Sequence, residues 1–105
     1  MEEITVSALA GALATGEVRL IDVREADEYR AGHVPSAEFI TMSTIPLRLA
    51  DLPRGQKLHV ICESGGRSWQ VCSYLEMQGY DVVNVAGGTG AWRMSGRPLT
   101  QGMEA

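Results

Sequence analysis

Five short apolar runs, each followed by a stretch of helical character, alternate along this chain, and that alternation is the strongest constraint on its fold. The runs are Ile4-Thr5-Val6, Val18 to Val23, Glu38 to Ile40, Lys57 to Ile61 and Asp81 to Ala86. A small-residue helix from Ala8 to about Thr15, capped by Ser7, follows the first, and Glu25 to Ala31 follows the second. Ser43 caps a short helix with Pro46 in its first turn, and Trp69 to Gln78 forms a longer one ended by Gly79. Gly87-Gly88-Thr89-Gly90 leads into a last helix carrying Ala91, Trp92 and Met94. Strands separated by helices are joined by crossovers, so the expected class is α/β, a parallel sheet with helices on both faces. A chain of 105 residues holds one such domain and has no room for a second. Its core is expected over about residues 4–99, with residues 100–105 as a flexible tail.

Charge and cysteine content narrow the function. Nine Lys and Arg against thirteen Asp and Glu give a net charge of -4, which argues against nucleic acid or an anionic membrane as partner. Two cysteines without a CxxC or Cys/His spacing make neither a disulfide framework nor a zinc site, so no metal is expected. The opening Met1-Glu2-Glu3 is acidic where a signal peptide carries positive charge, and the apolar patch Ala8 to Ala14 is too short to span a bilayer. A reducing cytoplasm is the expected location, and it suits a working thiol.

Chemistry concentrates in Cys62-Glu63-Ser64-Gly65-Gly66-Arg67-Ser68, between the strand run Leu58 to Ile61 and the helix that follows. Open α/β sheets place their sites at the carboxyl ends of strands, where this cysteine lies. The following helix points its positive end at the sulfur, and two glycines let the loop curl its N–H groups inward as an anion nest. Arg67 adds a fixed cation. These features lower a thiol pKa into the reactive range and read as a nucleophile, with Gly65, Gly66, Ser64 and Ser68 as its anion-binding frame. A core cysteine needs none of them.

Rival motifs fare less well. Gly88-Thr89-Gly90 has Arg93 where a dinucleotide fingerprint needs glycine, and no acidic residue follows about twenty positions on, so it reads as a tight strand-to-helix turn. Asp22, His33 and Cys62 could be imagined as a triad, but His33 sits in a turn beside Gly32 and Pro35 and reads as structural. His59, Trp69 and Trp92 read as packing residues, and Cys72 falls on the apolar stripe of its helix.

With these residues laid out, the chain closely resembles the single-domain rhodanese family of sulfurtransferases. Asp22-Val23-Arg24-Glu25, Glu28-Tyr29 and Gly32-His33-Val34-Pro35-Ser36-Ala37 look like the family's first signature. Cys62 to Ser68 matches its active loop, Cys-x-x-Gly-x-Arg followed by Ser or Thr, and Gly79-Tyr80, Val83 and Gly87-Gly88 through Trp92 match the closing one. The resemblance implies a five-stranded parallel sheet flanked by helices and Cys62 as the sulfur-carrying nucleophile. It makes Asp22, Arg24 and Glu28 mainly scaffold and the turn at His33 structural. It implies no organic cofactor, a small sulfur donor (thiosulfate or a persulfide), and a thiol, cyanide or protein as acceptor. The loop from Cys62 through Arg67 has six residues, as in sulfurtransferases, whereas related Cys-dependent phosphatases carry seven.

Glu63 departs from the pattern, since that position is often basic or neutral in thiosulfate-using members. Its carboxylate either faces the pocket mouth and repels a dianionic donor, or points into solvent or pairs with a nearby arginine and leaves the pocket unaffected. Two rival functions stay open: a sulfur-relay or binding module with little turnover on small donors, and a Cys-dependent phosphatase or arsenate reductase.

Overall fold

The computed structural model describes residues 1–16 and 18–105. In chain order it has β1 (Glu2–Ile4), α1 (Val6–Ala14), β2 (Arg19–Asp22), α2 (Ala26–Ala31) and β3 (Glu38–Phe39). A 3-10 helix (Met42–Asp51), β4 (Leu58–Ile61), α3 (Gly66–Met77), β5 (Val82–Val85) and α4 (Gly88–Met94) complete it. The strands form one sheet in the order β1-β5-β4-β2-β3, every pair parallel.

Successive side chains of a strand point to opposite faces, and here both faces are buried. Ile21, Leu58, Val60 and Val82 face the 3-10 helix and α3, packing with Ile45, Val71, Cys72 and Leu75. Leu20, Ile61 and Val85 face the other way, onto Leu9 of α1, Tyr29 of α2 and Trp92 of α4. After β2 the chain turns outward to β3, and after β4 it turns the opposite way to β5. The loops therefore part between adjacent β2 and β4, the crevice where open α/β sheets bind ligands.

Several boundaries differ from those the sequence suggests. Thr5 is not in the first strand; its hydroxyl accepts from the Ala8 N–H at 3.1 Å and caps α1, the role expected of Ser7. The 3-10 helix starts at Met42 because the Thr41 carbonyl accepts from the Thr44 N–H at 2.9 Å, which leaves Pro46 in its interior rather than its first turn. Helix α3 begins at Gly66, inside the cysteine loop: left-handed Gly65 (φ 108°) serves as its N-cap, and its carbonyl accepts from the Trp69 N–H at 3.1 Å. Likewise Gly88, Thr89 and Gly90 are the first turn of α4 rather than a lead-in.

The last residues, expected to fray, hydrogen-bond to the body of the fold. Thr100 pairs with His33 across an isolated antiparallel bridge, and the Gly102 N–H donates to the Arg30 carbonyl at 2.9 Å. The buried His33 ring stacks on Tyr29 at 3.6 Å between centroids. Its Nδ1 lies 2.8 Å from the Tyr29 carbonyl and its Nε2 2.7 Å from that of Glu104.

Candidate active site

Cys62 follows the last residue of β4, and its side chain is only 1% exposed. The Gly65 N–H donates to its Sγ at 3.1 Å and the Ser68 hydroxyl at 3.2 Å. Burial is the largest single influence and pushes the thiol pKa up. The Ser68 hydroxyl and the N–H groups of Ser68, Gly65 and Ser64 together outweigh it, so the thiol sits below the ordinary cysteine value. Curling of Gly65 into a left-handed conformation is what turns these amides onto one atom.

The loop is latched from behind by α4. The Thr89 N–H donates to the Cys62 carbonyl and the Gly90 N–H to the Glu63 carbonyl, both at 2.8 Å. In a trans peptide the carbonyl and the next N–H point opposite ways. Drawing the Glu63 carbonyl toward α4 therefore turns the Ser64 N–H toward the sulfur. The approach is close enough that position 88 admits no side chain. A Cβ there would stand 2.6 Å from the Glu63 carbonyl oxygen and closer still to that of Cys62.

Arg67 hydrogen-bonds to a carboxylate rather than to the sulfur. Its guanidinium donates to both oxygens of Glu28, at 2.7 and 2.9 Å, tying the first turn of α3 to α2. Arg67 is the main reason the Glu28 carboxyl is held down at about 2. Glu63 is paired with two arginines. Its Oε1 accepts from Arg24 Nη1 at 3.0 Å and its Oε2 from Arg93 Nη1 at 2.8 Å. Arg24 is buried and also donates through Nε and Nη2 to Asp22 and through Nη2 to the Gly32 carbonyl.

Three participants were not legible beforehand. Arg93 lies 30 residues from Glu63 in sequence. Arg24 was expected mainly as scaffold, and it also clasps Glu63. Asn84, a strand residue of β5, donates through Nδ2 to the Gly65 carbonyl at 3.3 Å and to Glu3 at 2.8 Å, steadying the residue whose N–H meets the sulfur.

The remaining candidates lie apart from this chemistry. Both ring nitrogens of His33 face backbone carbonyls, so it supplies no base to Cys62. Cys72 is fully buried, and burial pushes its thiol up to about 12. His59 is half-buried with an unpartnered Nδ1, and desolvation lowers its pKa. Trp92 packs as expected, but Trp69 is 45% exposed on the outer side of α3. No group of residues suited to a metal ion occurs among the described residues, and no helix there is long and apolar enough to cross a membrane.

Residues 5–95 match the family model of the rhodanese-like domain. A protein of Allochromatium vinosum named sulfurtransferase is 39% identical over 101 residues, covering 94% of each chain. YtwF of Bacillus subtilis, whose name gives it as a candidate sulfurtransferase, is 41% identical over 99 residues, covering 93% of this chain and 96% of that protein. Among crystal structures, a rhodanese-like domain protein from Staphylococcus aureus superposes with a TM-score of 0.84 at 39% identity, covering 88% of this chain and 91% of that one. A rhodanese-related protein from Thermoplasma volcanium gives 0.89 at 28% identity, covering 99% and 100%.

Proposed function

The chain belongs to the rhodanese-like domain family, and from that premise we propose that it is a sulfurtransferase working through a persulfide on Cys62. The observation that carries this reading is the sulfur's surroundings: a buried thiol held below its ordinary pKa by one hydroxyl and several main-chain N–H groups. Such a ring stabilises negative charge at one atom, whether the thiolate or the outer sulfur of a persulfide.

In the first step the Cys62 thiolate attacks the outer sulfur of thiosulfate or an organic persulfide. The donor's S–S bond breaks as the new one forms, and sulfite or a thiolate leaves. In the second step a thiol, a protein thiol or cyanide attacks the outer sulfur of Cys62, which departs as thiolate. With a thiol one S–S bond is exchanged for another, and with cyanide it is exchanged for the C–S bond of thiocyanate, so neither metal nor redox cofactor enters the scheme. Ser64, Gly65, Gly66 and Ser68 frame the anion, Arg67 fixes the loop to α2, and Glu63 lies at its rim. The six residues from Cys62 through Arg67 favour this over a phosphatase, since a tight ring suits one sulfur better than a tetrahedral phosphate. A cytoplasmic setting, where thiols stay reduced, belongs to the same proposal.

Intact-mass measurement after incubation with thiosulfate or a persulfide tests it. One added sulfur, mapped to Cys62, lost on adding cyanide and absent from Cys62→Ser, is the expected result. A phosphatase assay on a small aryl phosphate is run beside it, and hydrolysis without sulfur loading would refute the proposal.

A further inference from the structure

Every arginine around the cysteine loop is closed on a carboxylate. Arg24 holds Asp22 and Glu63, Arg67 holds Glu28, and Arg93 holds Glu63. Three formal positive charges meet three negative ones, leaving none of these cations free for an anionic donor. Glu63 is what completes the balance, because its two oxygens take up Arg24 and Arg93 at once. Its place is shaped by the fold as well as by charge. Gly90 packs against it so closely that a Cβ there would stand 3.2 Å from Oε2 and 3.0 Å from the Glu63 carbonyl oxygen.

The two arginines differ in what they could offer a donor. Arg24 is 1% exposed and tied to Asp22 and Gly32 as well. The Arg93 side chain is 46% exposed, and Glu63 is the one hydrogen-bond partner of its guanidinium among the described residues. Without Glu63, Arg93 would stand beside the loop as an uncompensated cation.

We infer that Glu63 is a specificity-determining residue that acts as an internal counter-anion. By occupying Arg93 it turns the pocket from dianionic donors toward sulfane-sulfur donors of low charge, organic persulfides rather than thiosulfate. This rests on the sulfurtransferase reading above. With a persulfide RSSH, Cys62 thiolate takes the outer sulfur with its hydrogen, the S–S bond between the two donor sulfurs breaks, and RS⁻ leaves; no oxidant is consumed. With thiosulfate the leaving group is the sulfite dianion, which must form where every nearby guanidinium is already matched.

The experiment compares thiosulfate with the persulfide of N-acetylcysteine methyl ester, whose only ionisable group is the persulfide itself. The readout is the ratio of kcat/KM values for the two donors at low ionic strength, with cyanide as acceptor. Glu63→Gln frees Arg93 and should raise the thiosulfate-to-persulfide ratio about tenfold, with a smaller gain at high salt. Adding Arg93→Gln to that variant should return the ratio toward the starting value. Arg93→Gln alone keeps the buried Arg24–Asp22 pair, uncovers part of the Glu63 charge, and should lower the ratio by roughly threefold. That single variant tests the idea even if Glu63→Gln fails to fold. An unchanged ratio in Arg93→Gln, or a gain in Glu63→Gln that survives the loss of Arg93, overturns the inference. Failure of either donor to load Cys62 in the unmodified protein would instead remove the sulfurtransferase reading on which it stands.

Discussion

Replacing Gly88 with alanine should be the most damaging single-methyl change in the neighbourhood of the site. Position 88 has φ 59°, a left-handed conformation that costs a residue with a Cβ roughly 1–2 kcal/mol. The added methyl would also overlap the carbonyls of Cys62 and Glu63, a backbone that cannot swing aside as a side chain can. Overpacking of that kind typically costs about 1–3 kcal/mol. The combined loss, roughly 2–5 kcal/mol, is a large share of the stability of a small domain. Thermal unfolding followed by circular dichroism should show a fall in Tm of about 10 °C or more.

Two other glycines calibrate the argument. Gly65→Ala meets the strain without the overlap, because the nearest atom to its Cβ would be the Gly87 nitrogen at 3.5 Å, so about 1–2 kcal/mol is expected. Gly66→Ala lies in open space within α3 and should be neutral or stabilising by up to about 1 kcal/mol. Gly88→Ala should also move the alkylation midpoint of Cys62 upward, because pushing the Glu63 carbonyl off α4 turns the Ser64 N–H away from the sulfur. Stability of Gly88→Ala within 1 kcal/mol of Gly66→Ala would refute the latch.

Three further outcomes follow from the same geometry. At neutral pH iodoacetamide should label Cys62 and leave Cys72, whose thiol is held at about 12; Ser68→Ala removes a donor to the thiolate and should slow labelling of Cys62 roughly tenfold at pH 7, read by peptide mapping. Glu28 titrates ordinarily near 4.5 and in the folded protein at about 2, so the stabilisation from its Arg67 pair is complete above pH 4.5 and vanishes as pH falls toward 2. Both side chains are about a third exposed, which reduces the pair to about 1 kcal/mol; Glu28→Gln should lose that much at pH 7 and match the parent near pH 2 in urea titrations. Thr5→Ala should cost about 1 kcal/mol as a lost N-cap whereas Ser7→Ala costs almost nothing, and equal values would mean that α1 is capped elsewhere.

What could be read from the sequence is what depends on neighbours along the chain. The parallel α/β architecture followed from the alternation of strand and helix runs, and the cysteine loop followed from seven consecutive residues whose types make sense only together. Boundaries were harder. Gly65-Gly66-Arg67-Ser68 looks like loop because glycines disfavour helix interiors, yet Gly65 is the cap and Gly66 already helical. Thr5 has strand propensity, but its hydroxyl is more useful as a helix cap. Partners supplied by distant elements left no local trace: Glu63 meets Arg24 across 39 positions and Arg93 across 30. Arg67 could be recognised as a fixed cation of the loop, but its hydrogen bonds to Glu28 depend on where α2 docks.

The latch between α4 and the cysteine loop separates two properties that selection would otherwise have to adjust together. Three main-chain amides join the Ser68 hydroxyl in holding the thiol down, and their directions are set by carbonyls held on α4 and by the twist at Gly65. The lowered thiol pKa is thereby encoded in part in backbone shape, with Ser68 as the one side chain that donates to the sulfur. The side chains of Glu63 and Ser64 are attached to that frame without making it. On the reading proposed above, substitutions at 63 and 64 would retune which donors the domain accepts while the thiol beneath them keeps the same surroundings. A small fold would gain in this way an interchangeable face over a fixed sulfur site.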